Sequence, residues 1–318
     1  MLAPKVEWLL VLLLTSILFC RSRTASDSVP GRDFQDSLLV KLPDISPSSF
    51  NYDLENPAMR FNLPLELKEI SGLSFNNRDG ALYTHNDESG TFYKLSAETG
   101  EILQRYSFAG LGDFEGIEVI NGTVYITENK GNLWTYNLET QKSTGVIKTA
   151  LTGANDVEGL GYDNSKNALL LACKGKNTAG KNIPGDPGHK SFYNLSLRDT
   201  SLALYGTINI DTIKEFALKF GDISEKKLEK RLQRAREFAP SAIAIHPLTG
   251  EIYILSSVGN TLVVINQALV MIHLDFLKDG LFNQPEGICF DPSGRLFISN
   301  EGDELSSGQI VAFNPISH

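Results

Sequence analysis

Glu115-Gly-Ile-Glu-Val119 decides the fold, because the chain repeats the phrase with variations. The other copies are Ser71-Gly-Leu-Ser-Phe75, Glu158-Gly-Leu-Gly-Tyr162, Ser241-Ala-Ile-Ala-Ile245 and Glu286-Gly-Ile-Cys-Phe290, beginning 44, 43, 83 and 45 residues apart in order. A period of roughly 40–50 residues made of short strands is the mark of a propeller blade. Each copy is followed by a turn rich in Asn, Asp, Gly or Pro: Asn76–Gly80, Asn121-Gly122, Asp163–Asn167, His246–Gly250 and Asp291–Gly294. Second and third alternating runs follow, such as Thr123-Val-Tyr-Ile126 and Asn132-Leu-Trp-Thr-Tyr136. Fourth runs are legible at Ile102–Phe108, Thr144–Lys148 and Val270–Leu274. Each set reads as an antiparallel meander.

Two places depart from the period. Five residues follow Phe313, so the outer strand of the last blade is expected from Ala58-Met-Arg-Phe-Asn-Leu63. An N-terminal strand there would remove an open sheet edge. The 83-residue step holds a polar loop, Lys174–Lys190, and then apolar residues at helical spacing: Ile213, Phe216, Ala217, Phe220, Leu228, Leu232, Ala235 and Phe238. A sixth blade is the competing reading of that step. The expected fold is all-β, a five-bladed propeller closed by an N-terminal strand, with a helical insertion near 211–238.

Composition narrows the function classes. Thirty-eight acidic against 29 basic side chains leave a net charge of −9, which provides no electrostatic footprint for nucleic acid. Three cysteines cannot form a disulfide framework, and Cys173 and Cys289 lie in apolar strand patterns where buried free thiols are expected. At the N-terminus, Lys5 precedes an apolar run from Trp8 to Phe19, of signal-peptide length and short for a spanning helix. Cys20 raises the question of lipid attachment, although Phe19 is large for such a site. The expected organisation is a signal peptide or membrane anchor over 1–25, a flexible tether over 26–57 and the propeller over 58–318. The chain is expected to be an exported monomer of the periplasm or cell envelope, its membrane association, if any, running through the N-terminus.

In a meander, the start of the first strand and the end of the second share one sheet edge. With blades oriented alike, those ends gather at one mouth of the central channel. Blade one then contributes Ser71, His85, Asn86 and Asp87; blade two, Glu115, Glu128 and Asn129; blade three, Glu158, Cys173 and Lys174; blade four, Ser241, Ser256 and Ser257; blade five, Glu286, Asn300 and Glu301. Convergent, partly desolvated carboxylates repel and raise each other's pKa unless a counter-charge is present. Carboxylate, amide and carbonyl oxygens suit Ca²⁺, which tolerates irregular coordination. Zinc is disfavoured because no His/Cys pair has ligand spacing. The expected metal ligands are Glu115, Glu158, Glu286, Glu128 and Glu301; Asn86, Asp87, Asn129, Asn300, Lys174 and Lys176 are candidates for ligand contact. Any one of these glutamates alone could instead cap a turn. The loop lysines Lys174, Lys176, Lys181 and Lys190 could hold an anion or form a solvated loop. His85 has no visible nucleophile to serve and is expected to make a structural hydrogen bond.

The ordered set Leu67-Lys-Glu-Ile-Ser-Gly-Leu73, Asp113-Phe-Glu-Gly-Ile117, Val157-Glu-Gly-Leu-Gly-Tyr162, Pro240-Ser-Ala-Ile-Ala-Ile-His-Pro247 and Gln284-Pro-Glu-Gly-Ile-Cys-Phe-Asp-Pro-Ser-Gly294 resembles the SdiA-regulated family, the YjiK/CarP-like propellers. The resemblance runs over roughly Pro64 to Phe313. It implies a five-bladed propeller distantly similar to NHL-repeat proteins, with a Ca²⁺ site and an envelope location. Carried over, that site would fall on Glu115, Glu158 and Glu286, with Glu128 and Glu301 beside it. This chain departs at Lys174-Gly175, where blade three ends its second strand without an acid. The expected function is a calcium-binding envelope module that binds or senses a small-molecule or envelope ligand. A Ca²⁺-dependent hydrolase of phosphoesters (phytase-like) or lactones is the alternative, and an ion that only rigidifies the channel is a third.

Overall fold

A computed structural model describes residues 37–44, 50–179, 185–220, 225–304 and 306–316. The expected signal or anchor segment, Cys20 and Lys181 lie outside these residues. Twenty strands form five four-stranded antiparallel sheets. β1 (Met59–Asn62) precedes blade one, which comprises β2 (Ile70–Asn76), β3 (Ala81–Asn86), β4 (Thr91–Ser96) and β5 (Ile102–Ser107). Blade two comprises β6 (Phe114–Ile120), β7 (Thr123–Glu128), β8 (Leu133–Asn137) and β9 (Lys142–Ile147). Blade three comprises β10 (Val157–Asp163), β11 (Ala168–Cys173), β12 (His189–Ser196) and β13 (Leu202–Asn209). The helices α1 (Ile210–Phe220) and α2 (Glu225–Arg236) follow it. Blade four comprises β14 (Ala242–Ile245), β15 (Ile252–Ser256), β16 (Thr261–Ile265) and β17 (Met271–Phe276). Blade five comprises β18 (Pro285–Phe290), β19 (Leu296–Asn300) and β20 (Gln309–Phe313), with β1 as its outer strand.

The turn chemistry does what the sequence asks of it. Asn121 and Gly122 both take positive φ (51° and 82°), the backbone of a two-residue hairpin whose twist matches its strands. The repeated phrase forms the innermost strand of every blade. Its second residue is small because neighbouring inner strands nearly touch there. A Cβ on Gly116 would lie 2.5 Å from Leu160 Cβ, and one on Gly287 2.8 Å from the Leu73 nitrogen. The core follows as separate apolar packets where neighbouring blades meet. Phe92, Phe114 and Ile126 fill one between blades one and two, while Leu133, Leu160 and Leu171 fill the next.

The expected closure is corrected. β1 pairs with β20, with Met59 opposite Ala312 and Asn62 opposite Gln309, so it supplies the missing outer strand. It is itself the edge of that sheet, however, and among the described residues no sheet closure exists: the five sheets are separate and open. An outer strand lies too far from the next blade to pair with it. Blade five meets blade one through side-chain packing of Phe61, Phe297 and Ile310 with Leu73 and Leu95, and through Ser299 Oγ donating to the Ser71 carbonyl at 2.9 Å.

The helical insertion is present as two helices rather than one run, with residues 221–224 between them. Ile213, Phe216, Ala235 and Phe238 are buried in the packet between blades three and four, as their spacing requires. The Arg234 guanidinium donates to the carbonyls of Gly259, Asn260 and Leu277 at 2.5, 2.5 and 2.7 Å, fixing α2 over the edge of blade four. Within the stretch read as a tether, residues 38–41 lie along the ring. Val40 N donates to Thr207 O and Lys41 N to Leu269 O, both at 2.8 Å, and Val40, Tyr52 and Leu54 are buried. Among the described residues no helix is long and apolar enough to cross a membrane.

Candidate functional site

The sheet registers place the expected mouth residues together at one edge. Ile70 faces Asn86, Phe114 faces Glu128, Val157 faces Cys173 and Pro285 faces Asn300. In these four blades the register shifts immediately after that pair, at the leading residue of the phrase; blade four pairs without a shift. A bulge at the end of an inner strand re-aims a side chain that regular pleating would alternate away. Glu115, Glu158 and Glu286 all occupy such bulges.

Three glutamates and one more form an electrostatic group. Burial, followed by Glu158, Asp113 and Glu286, raises the Glu115 carboxyl to about 9. Burial with Glu158 and Glu301 raises Glu286 to about 8, against a hydrogen bond from Ser257. Burial with Asp87, Glu69 and Glu158 raises Glu301 to about 7. Glu158 is also raised by burial, opposed by Lys174, whose Nζ stands 3.0 Å from Glu158 Oε1. Burial disfavours the Lys174 charge, but Glu158, Glu286 and Asp156 outweigh it and the ammonium is held more firmly than usual. Lys174 is thus a cation among mutually repelling carboxyls, bonded to Glu158 and acting at longer range on Glu286 and Glu301.

The remaining candidates divide. Glu128 turns back to its own hairpin, where Trp134 Nε1 donates to one oxygen at 2.8 Å and Asn132 Nδ2 to the other at 3.3 Å. Asn129 donates through its amide to Asp113, and the Asn86 side chain accepts from Glu88 N at 3.0 Å. Asp87 joins the acidic mouth, its carboxyl raised by burial and by Glu69. Asn300 is 2% exposed, and neither amide atom has a hydrogen-bond partner. With Glu301 it lines a cavity of about 370 Å³.

Two of the loop lysines are engaged by the protein, Lys174 by Glu158 and Lys190 by a backbone carbonyl. Lys190 Nζ donates to the Lys174 carbonyl at 2.5 Å. Backbone bonds from Lys174 N to Asp156 O and from Lys176 N to Ala154 O, at 2.8 and 2.7 Å, pin the start of the loop. His85 is fully buried with Nδ1 3.2 Å from the Asn86 carbonyl, and burial lowers its pKa to about 4. At that value the ring is neutral near pH 7, and its Nε2 is buried without a hydrogen-bond partner. Burial raises both Cys173, to about 12, and Cys289, consistent with inert thiols.

Sequence reasoning passed over Glu69, which stands just ahead of the first phrase and whose acidic side chain at that offset was the available signal. Ser257, which the strand-end rule does set at the mouth, hydrogen-bonds Glu286 from blade four. At the opposite mouth the turns surround a basin of about 570 Å³ whose lining includes Arg78, Glu118, His246 and Cys289.

The donors at the acidic mouth are hard oxygens, of the type that oxygen-liganded cations take. Among the described residues no group of three or more His, Cys, Asp or Glu is placed to hold a metal ion. Lys174 holds the place of the counter-charge instead.

Residues 51–182 match the family model described as SdiA-regulated. That segment contains the first three copies of the phrase and Lys174. No curated protein matches the chain. Among solved structures, a glutaminyl cyclase of Myxococcus xanthus superposes with a TM-score of 0.50 at 16% identity, covering 82% of this chain and 97% of that one. At that identity the likeness concerns the propeller fold alone. A luciferin-regenerating enzyme (TM-score 0.49, 12% identity, 81% and 95% coverage) and a nidogen/laminin complex (0.44, 13%, 73% and 72%) are looser likenesses.

Proposed function

On the premise that residues 51–182 carry the SdiA-regulated pattern, we propose that this protein is a cation-binding propeller of the cell envelope, a binding or sensing module whose acidic mouth takes Ca²⁺. The observation that carries the reading is that the sheet registers set Glu115, Glu158, Glu286 and Glu301 at one edge of the blades, each with a carboxyl raised above its ordinary range by burial and by acidic neighbours. Groups in that condition accept either protons or a cation, and a divalent ion relieves several repulsions at once. Glu115, Glu158 and Glu286 would hold the ion, with Glu301 and the Asn300 carbonyl oxygen beside them. Glu128, engaged by Trp134 and Asn132, is left out of the set. The ion's chemistry is charge neutralisation, which would also present a positive centre to a small-molecule or envelope ligand.

A hydrolase needs a positioned base or an anion clamp. Among the described residues His85 is neutral and internal, Lys174 is paired with Glu158, and Lys190 is bonded to a backbone carbonyl. Those contacts favour binding over turnover. Calorimetric titration of the purified chain with CaCl₂ tests the reading. Saturable binding below millimolar levels, with a matching rise in melting temperature, is expected. No heat and no thermal shift at millimolar Ca²⁺ would remove it.

A further inference from the structure

Blade five ends in a row of three amides. Asn62 stands opposite Gln309, and Gln309 opposite Asn300, across β1, β20 and β19. Residues paired directly across antiparallel strands share a face, at a strand spacing of about 4.8 Å. Gln309 Nε2 donates to Asn62 Oδ1 at 3.0 Å, which leaves Gln309 Oε1 and Asn62 Nδ2 for other partners. Asn300 takes no part in that bond. It is 2% exposed, and neither its Oδ1 nor its Nδ2 has a hydrogen-bond partner. A buried amide in that condition costs stability until something from outside the chain completes it.

All three amides line the cavity of about 370 Å³, a size within the range of small-molecule pockets, roughly 300–1,000 Å³. Its walls are held in place. On one side Leu281 N donates to Lys278 O at 3.2 Å and Asn260 Nδ2 to Phe282 O at 2.9 Å, setting the turn that carries Leu281 into the lining. On the other, Ser306 N donates to Asp303 Oδ1 and Leu63 N to Gly308 O, both at 2.8 Å.

The lining selects the chemistry of an occupant. Among the described residues it holds no cationic side chain, and its one carboxylate, Glu301, already accepts from Gln284 Nε2 at 2.8 Å. An anion would meet Glu301 without a counter-charge. A cation could take the Asn300 oxygen but would leave the NH₂ group with no acceptor. A hydroxyl serves both ends of the amide, since it donates to Oδ1 and accepts from Nδ2. Hydroxyls on alternate carbons of a sugar ring are spaced much as neighbouring strands are, so one ring can reach Asn300 and Gln309 together. Leu281 supplies an apolar wall for its C–H face.

We propose that this cavity is a second binding site, which takes a neutral monosaccharide on the amides of Asn300, Gln309 and Asn62. The site uses no ion, so it stands or falls apart from the cation reading above.

The test titrates the unmodified chain, in EDTA, with D-glucose, D-galactose, D-mannose and D-ribose in a calorimeter. At least one sugar is expected to bind saturably in the millimolar range, while sodium phosphate and acetamide give no binding. Asn300→Leu removes both amide atoms at nearly constant volume. It should weaken that sugar at least tenfold and, because an unpaired buried amide goes with it, raise the melting temperature. A second readout needs no variant. In ¹⁵N-labelled protein, the Asn300 side-chain NH₂ resonances should shift as the sugar is added and saturate with the calorimetric isotherm. No binding by any of the four sugars overturns the site, and so does binding of phosphate or acetamide in their place. Sugar binding that Asn300→Leu leaves unchanged, or that leaves the NH₂ resonances unmoved, puts the sugar elsewhere and overturns it as well. A CaCl₂ titration of the same chain without EDTA reads the cation site separately, so either can fail alone.

Discussion

Ser71 Oγ donates to the carbonyl oxygen of Glu115 at 2.8 Å, joining the leading residue of the phrase in one blade to its counterpart in the next. Ser241 does the same for blades four and five, donating to the Pro285 carbonyl at 2.7 Å. The leading position therefore has two uses. Where it is serine, it ties inner strands together; where it is glutamate, it faces the mouth. Ser241 is 2% exposed, so Ser241→Ala leaves a buried carbonyl without its donor. A loss of about 1–2 kcal/mol is expected, read as a lower urea midpoint with calcium affinity unchanged.

The glutamates should separate in the opposite way. Glu286→Gln removes a carboxylate from the group around Lys174 and should weaken Ca²⁺ binding at least tenfold by calorimetry. Glu128→Gln should leave the affinity within about twofold of the original, because that carboxylate is engaged by Trp134 and Asn132. Equal losses from both substitutions would contradict the placement of Glu128 outside the site.

Glycine tolerance should map the inner ring. A Cβ on Gly116 would press on Leu160 and its backbone nitrogen at 2.5 and 2.8 Å, whereas one on Gly110 meets open space. Gly116→Ala is expected to cost about 3 kcal/mol or more through overpacking, and Gly110→Ala to fall within about 0.5 kcal/mol of zero. Circular-dichroism melts of the two variants check the contrast.

Glu118 gives a pH signature distinct from the mouth. Burial raises its carboxyl to about 7, against the hydrogen bond from Ser74. The folded state then keeps a proton that the unfolded chain releases near its ordinary pKa, so this contribution is complete below about pH 4.5 and is lost as pH rises through 7. The slope is at most about 1.4 kcal/mol per pH unit for one group. In chelator, Glu118→Gln should show a flatter fall of melting temperature between pH 5 and 7 than the unmodified protein. Parallel curves would show that Glu118 does not titrate in that window.

Much of this could be read from the residues alone, because propeller signals are local. Asn121-Gly122 makes its hairpin from two residues, and the apolar alternation after each phrase is the inner strand itself. Blade three's outer strand, Leu202–Asn209, escaped because the register shifts where Gly206 faces Phe192, and a bulge breaks the period of two. The mouth was legible in its acids and in Lys174, which strand-end spacing set beside Glu158; the ion pair between the two was not. That pairing depends on the register shift that re-aims Glu158 just after the Val157–Cys173 pair, a tertiary detail with no signature in spacing. Glu128 shows what spacing leaves out: the strand-end rule puts its backbone at the mouth, while Trp134, six residues on across a tight hairpin, donates to its carboxylate. Closure failed as an expectation for a geometric reason, since the strand that completes blade five through Met59–Ala312 pairing is also its outermost edge.

That pairing sets an order in time. Residues 59–62 leave the ribosome about 250 residues before their partners at 309–312, and the segment around Val40 must likewise await Thr207 and Leu269. Blades one and two can assemble as they emerge, because their strands are consecutive. The opening segment cannot settle until the final strand is made. During synthesis and any export it travels as an unpaired strand, so the protein acquires its last sheet only after nearly the whole chain has been delivered.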